Sequence, residues 1–277
     1  MNIGLIFDSV IVRPLATILV GIYQVLSFLH IPYSLGFSIV ILTIIIRFIL
    51  YPLISAQLKS SKKMQALTPH LSKLKERHKG DAKRMQTETM RLYKEHGVNP
   101  AAGCLPLIIQ MPIIWGLYSL LQKVVTLNSH AVVSEVNKLT YISSFKLTSP
   151  WDSSFFGFPL GQGPSNLLPT LGPLVFLIPA ITAILQFLQS KMLVSPKAVS
   201  QNTSLKKDKK KDDFASAFQA QSTYIFPVMI GFFSYSFPIG LSLYWNTFTV
   251  FGIIQQYKIL GLGGLMDWRN KIWKKKN

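Results

Sequence analysis

The sequence predicts an all-α polytopic membrane protein with five transmembrane helices, an outer interfacial helix and a cytoplasmic helical hairpin. Three observations carry this. Of 277 residues, 49% are apolar and only 14% charged, well under the roughly 25% of soluble domains. Apolar runs long enough to cross a bilayer, about 20 residues each, recur along the chain. The basic residues are segregated into three blocks.

The spans follow from the apolar runs. They are 33–57, 100–122, 167–190 and the long stretch 214–257, which holds no charge between Asp213 and Lys258. The last is too long for one crossing. Its middle reads Tyr235-Ser236-Phe237-Pro238, and proline there suits a tight turn, giving spans at 218–236 and 239–257.

The basic blocks test this division. Segment 58–99 carries eleven Lys/Arg, segment 191–213 seven and the tail 258–277 six, leaving only Arg13, Arg47, Lys123, Lys138 and Lys146 of the 29. Five spans put the three blocks on one side, with 1–32 and 123–166 on the other. The positive-inside rule makes the basic side cytoplasmic, so the N-terminus is outside and the C-terminus inside. The formal charge of +18 is then mostly a topology signal, with attraction to anionic headgroups of roughly 1 kcal/mol per surface Lys/Arg.

Residues 14–31 are apolar enough for a sixth span. Arg13, Thr17, Gly21, Gln24 and Ser27 or Phe28 recur near helical spacing as a weak polar stripe, with Leu15, Ile18, Leu19, Ile22, Leu26 and Leu29 on the other face. That pattern predicts a helix lying in the outer interface. No Lys/Arg cluster precedes it and no A-x-A site follows, so it does not read as a cleavable signal.

Within 58–99, Thr68-Pro69 predicts a helix start with Thr68 as cap. Leu71, Leu74 and His78 follow on one face, and Gly80 closes the helix. Asp81 predicts the next cap, followed by Met85, Thr89, Leu92 and His96, with Gly97 as the stop. The expectation is an antiparallel hairpin with narrow apolar stripes, serving as a solvated connector or as a docking surface. The loop 191–217 contains Lys206-Lys207-Asp208-Lys209-Lys210-Lys211 and reads as disordered. The tail mixes Trp268 and Trp273 with Arg269, Lys271, Lys274, Lys275 and Lys276. That mixture suits a membrane surface or ribosomal RNA.

Arg47 is the most informative residue. It lies near the middle of span 33–57, where an arginine costs about 2.5–3.5 kcal/mol on insertion scales. None of the eleven acidic residues falls inside a proposed span. The span's end lies ten residues away, roughly 15 Å along a helix, beyond the reach of a snorkelling side chain. Water is the remaining compensation, so a hydrated cavity holding a positive charge is expected there. Gln110 in the second span, Gln186 and Gln189 in the third, and Ser242, Trp245, Asn246 and Thr249 in the fifth supply further polar groups. Arg47, Gln110, Gln186, Gln189, Trp245 and Asn246 are therefore the candidate groove residues.

The sequence offers no catalytic constellation. There is one cysteine, Cys104, no cluster with zinc spacing, no phosphate-binding loop and no nucleophile elbow. Neither enzymatic activity nor a cofactor or metal is expected. A small-solute or ion transporter is the main alternative reading, although no inverted repeat is evident. A nucleic-acid tether resting on the basic tail is another.

The run Leu92-Tyr93-Lys94-Glu95-His96-Gly97-Val98-Asn99-Pro100, followed by Gly103-Cys104-Leu105-Pro106-Leu107-Ile108-Ile109-Gln110-Met111-Pro112, resembles the signature of the YidC/Oxa family. Gln189-Ser190-Lys191-Met192 resembles the family's Q-x-K-M pattern. Gly240-Leu241-Ser242-Leu243-Tyr244-Trp245 with Ile254-Gln255-Gln256 resembles its last span. Arg47 and Trp245 stand where the family has a groove arginine and a groove tryptophan. The resemblance covers roughly 33–257 and looks like the five-span Gram-positive form, though without the lipoprotein signal many such forms carry. It implies a membrane-protein insertase in a bacterial cell (plasma) membrane, with a groove open to cytoplasm and lipid and closed to the outside. Nascent membrane-protein clients, membrane lipids, the SecY translocon and ribosomes are the implied partners.

Overall fold

The structure, a computed structural model, describes residues 3–78, 80–99, 105–125, 129–193 and 221–266. The signature residues Pro100–Cys104, most of the basic loop 191–217, the first residues of span 218–236 and the basic tail from 267 lie outside the described residues.

The described chain is helical almost throughout. In order it contains α1 (Ile3–Phe7), a π-helical turn (Asp8–Val12), α2 (Arg13–Phe28), α3 (Ser34–Ala66), α4 (Thr68–Arg77), α5 (Ala82–Glu95), α6 (Leu105–Val125) and α7 (Ser129–Leu139). There follow α8 (Pro164–Leu171), α9 (Leu177–Met192), α10 (Phe226–Ser236) and α11 (Ile239–Leu260). The prediction of a purely α chain needs one correction. Ser154–Phe155 (β1) and Phe158–Pro159 (β2) pair antiparallel. The two residues between them both have positive φ, Phe156 at 48° and Gly157 at 83°, which is the geometry of the tight turns that match strand twist.

Three described helical stretches are long and apolar enough to cross a membrane: Gly4–Phe28, Ser34–Ala66 and Pro164–Met192. The second runs well past the charge boundary used to end the first predicted span. Charges mark where hydrocarbon stops, but they do not by themselves end a helix. Leu58 to Ala66 contains no Gly or Pro, so α3 simply continues. That also displaces the expected cap at Thr68. Leu67 occupies the cap position in a helical conformation and makes no side-chain cap bond, while Thr68 is the first residue of α4. Asp81 does cap α5, its Oδ1 accepting from Arg84 N at 2.9 Å.

The chain divides into two compact units. The first comprises 1–49, 109–187 and 224–251. Its N-terminal helix uses the polar stripe in a way the sequence did not disclose. The Arg13 guanidinium lies 4.2 Å from the Tyr141 ring centroid. Thr17 Oγ1 accepts from Tyr141 N at 3.1 Å, and Gln24 Nε2 donates to Lys146 O at 3.1 Å. Gly21 meets Phe145, whose ring a Cβ would approach to 2.9 Å. The stripe therefore binds the connecting segment 141–146. Val12, Ala16, Leu19 and Val20 on the helix are fully buried. Asp8 accepts from Lys123 Nζ at 2.8 Å, tying the π-helical turn to the end of α6.

The chain reverses between α10 and α11 at Phe237-Pro238. The first amides of α11 would be orphans by helix geometry. Leu160 O accepts from Gly240 N at 2.8 Å, and Gln162 O accepts from Ile239 N at 2.9 Å. The connecting segment thus caps the last helix from outside its own sequence.

The second unit comprises 50–108, 188–223 and 252–277. Gln255 Nε2 donates to Tyr51 O at 3.1 Å and to Ser55 Oγ at 3.0 Å. Gln65 Nε2 donates to Leu193 O at 2.5 Å. At the start of α4 and the end of α5, the His70 and His96 rings lie 6.2 Å apart. Arg91 bridges Glu95 at 2.8 Å and Glu88 at 3.9 Å on the exposed face of α5.

The start of α3 supplies a test of this packing. Gly36 lies directly under the Phe155 ring, and a Cβ there would clash with it. Gly36→Ala should lower stability by roughly 1–3 kcal/mol, the usual cost of overpacking, measured by thermal denaturation in detergent. Adding Phe155→Ala should recover part of that loss. An unchanged melting temperature for Gly36→Ala would contradict the contact.

Candidate functional site

Hydrocarbon offers no hydrogen-bond partners, so polar side chains within apolar helices must find each other or the backbone. In the first unit they converge on α11. Tyr244 and Phe248 stand one turn apart on that helix and share a face, with ring centroids 5.9 Å apart. Tyr244 is fully buried, and its hydroxyl accepts from Gln110 Nε2 of α6 at 2.5 Å. Trp245, rotated about 100° onward, donates through Nε1 to Gln186 Oε1 of α9 at 3.1 Å. Ser242 Oγ lies 2.8 Å from Ser234 Oγ of α10, which in turn lies 3.2 Å from Thr182 Oγ1 of α9.

Arg47 of α3 completes the layer. It is 2% exposed. Its Nε donates to the Phe248 carbonyl oxygen at 2.9 Å, and its Nη2 donates to the same oxygen. The guanidinium carbon lies 3.4 Å from the Phe248 ring centroid and 5.9 Å from that of Phe251. Among the described residues no carboxylate pairs with it. The charge is thus held by a dipole and by ring faces, both of which stabilise a cation without neutralising it.

Two buried acceptors lie on the same helix. Asn246 Oδ1 and Thr249 Oγ1 have no hydrogen-bond partner among the described residues. They sit two residues before and one residue after Phe248. Buried polar atoms are rarely left unsatisfied, which sets these two apart from the bonded groups of the same helix.

The six candidate residues separate on inspection. Arg47, Gln110, Gln186, Trp245 and Asn246 all belong to the first unit and either bond to α11 or lie on it. Gln189 falls in the second unit and is partly exposed, and its side chain makes no hydrogen bond among the described residues. Sequence reasoning passed over Tyr244 and Phe248 as site residues. A tyrosine in an apolar span needs a partner for its hydroxyl, and that signal was readable. Phe248 acts through its backbone carbonyl and ring, which no residue-type argument identifies.

Comparison with known proteins places this layer in context. The 60Kd inner membrane protein family matches residues 22–261. Membrane protein insertase YidC 2 of Bacillus anthracis is 35% identical over 232 residues, covering 82% of this chain and 72% of that protein. This chain belongs to the YidC/Oxa family. ALBINO3-like protein 1 from the chloroplast of Arabidopsis thaliana is 33% identical over 92% of this chain. A crystal structure of an active YidC insertase, with its first transmembrane domain resolved, aligns with a TM-score of 0.54 and 26% identity over 86% of this chain. The chain spans 49% of the chloroplast protein and 45% of the solved YidC chain. Family membership and the apolar helices together make it a multi-pass membrane protein.

The bond between Gln110 and Tyr244 is open to a direct test. Tyr244→Phe should cost about 1 kcal/mol, typical of interhelical hydrogen bonds in membranes, and Gln110→Leu a comparable amount. The double variant should lose little more than either single one. Fully additive losses in thermal denaturation would mean that the two residues do not interact.

Proposed function

We propose that this chain is a membrane-protein insertase and chaperone. It receives hydrophobic segments of nascent membrane proteins in a hydrated, positively charged groove open to cytoplasm and lipid, and aids their insertion and folding alone or with the Sec translocon. The observation that carries this reading is the guanidinium of Arg47 within an apolar helix, held among the described residues by a carbonyl and ring faces and by no carboxylate. The naming of relatives as membrane protein insertases supports it.

The physical argument concerns what such a charge attracts. A client's translocated tail must leave water, and its acidic residues resist that most strongly. A fixed positive charge at intermediate dielectric attracts a carboxylate by several kcal/mol at close range. Arg47 offers that attraction because its own partners are neutral. The unpartnered acceptors of Asn246 and Thr249 offer sites for water or client backbone N–H groups.

Five spans at 33–57, 100–122, 167–190, 218–236 and 239–257, with the N-terminus outside and the C-terminus cytoplasmic, suit this activity. They leave 58–99 as a cytoplasmic helical hairpin that meets clients first. The basic tail 258–277 would contact ribosomes and lipid headgroups. The implied partners are nascent clients, SecY, ribosomes and membrane lipids.

The Arg47 series tests the charge. Arg47→Lys should retain most insertion of a client with an acidic tail. Arg47→Ala should reduce it roughly tenfold, equivalent to ~1.4 kcal/mol, and Arg47→Glu further. Replacing the client's acids with Asn should remove most of these differences. A loss on Arg47→Ala that ignores client charge would reduce Arg47 to a packing element.

The hairpin is tested separately. Deleting 70–96 across a short linker should leave the protein folded by thermal denaturation and lower client insertion. Unchanged insertion of every client tested would make this segment a connector.

A further inference from the structure

The β1–β2 turn carries a residue that its backbone does not favour. Phe156 is the first turn residue, at φ 48°. Asn, Asp or Gly fills such positions cheaply, whereas a bulky aromatic residue strains there. Burial does not explain the choice, because Phe156 is 62% exposed. The neighbouring Phe155 serves packing instead. It covers Gly36 and stands edge-on to Phe37 with centroids 5.4 Å apart.

A second aromatic repeats the pattern. Tyr33 has φ 56° and accepts from Phe37 N through its carbonyl, so it sits at the entrance to α3. Its ring stacks on Phe156 with centroids 4.8 Å apart and planes 29° apart. Two residues in unfavourable backbone conformations thus hold their rings against each other, leaving most of one ring uncovered.

The position of this pair is fixed by what it is attached to. α3 is among the helices long and apolar enough to span, and Tyr33 immediately precedes its first residue. Phe155 and Phe156 both contact that first turn. The turn therefore lies where the apolar segment ends, at the level of headgroups and upper acyl chains. Aromatic rings concentrate at that depth. Phe28 and Leu29, in the connection leading to Tyr33, are 82% and 59% exposed.

We propose that the Tyr33–Phe156 pair is a lipid anchor, with Phe156 inserted among phospholipids at the membrane–water boundary and the β1–β2 turn strained to aim it there. The anchor fixes the height of the connecting segment, whose Leu160 and Gln162 carbonyls cap α11. It thereby links bilayer depth to the helix that carries the polar layer.

The test keeps the ring and changes only its label. 4-Fluorophenylalanine is placed at position 156, and the full-length protein is reconstituted in phosphatidylcholine–phosphatidylglycerol nanodiscs. Fluorine line broadening is compared between a nitroxide carried on the upper acyl chain and a gadolinium chelate confined to water. The proposal expects stronger broadening by the lipid-borne nitroxide. Equal or stronger broadening by the aqueous chelate overturns it. A second measurement uses Phe156→Asn, which suits the turn. It should raise the melting temperature in detergent and lose that gain in lipid nanodiscs, where the anchor counts. The same gain in both media would overturn the proposal, as would no gain in either.

Discussion

A guanidinium within an apolar helix has to be accommodated before anything else in this molecule can be stable. The Phe248 carbonyl and the Phe248 and Phe251 rings accommodate Arg47. That contact ties α3 to α11 within the first unit. The rest of the polar layer follows the same logic. Gln110, Gln186 and Ser234 each reach a different residue of α11. Little apolar driving force distinguishes one helix face from another in lipid. These few polar contacts therefore select which face of α11 meets which neighbour.

The neutral character of Arg47's partners matters as much as their number. A carboxylate would have cancelled the charge and made the site purely structural. A carbonyl and a ring lower its energy while leaving its field intact. Stability and attraction for an acidic guest are thus compatible in one residue. The oxygens of Asn246 and Thr249, without partners among the described residues, extend the polar character along the same helix.

The sequence disclosed a mostly helical membrane protein and the family, because both rest on features that survive without geometry. These are apolar runs, segregated basic blocks and the motifs around Gln110, Gln189 and Trp245. It also singled out Arg47, since an arginine among isoleucines is costly wherever it lies. What compensates it was not legible. A search for acids overlooks backbone carbonyls, which every residue owns. The stripe Arg13, Thr17, Gly21 and Gln24 was visible as a stripe, but its partners Tyr141, Phe145 and Lys146 are more than a hundred residues distant. A pattern on one helix cannot tell water from a distant segment of chain. Gln189 shares a helix face with Gln186, yet only Gln186 bonds to α11. Spacing along one helix does not show which of its residues a neighbouring side chain will meet.

The central claim is that Arg47 keeps a positive field in a water-accessible site. Asn246→Cys in a Cys104→Ser background places a thiol at a candidate groove position, two residues before Phe248 on α11. The measurement is the ratio of its reaction rates with anionic and cationic methanethiosulfonate reagents of similar size, in open membranes. The account predicts that both react, that the anionic reagent is favoured relative to a free thiol, and that Arg47→Gln abolishes the preference. Complete protection from both reagents, or a ratio indifferent to Arg47, would contradict it.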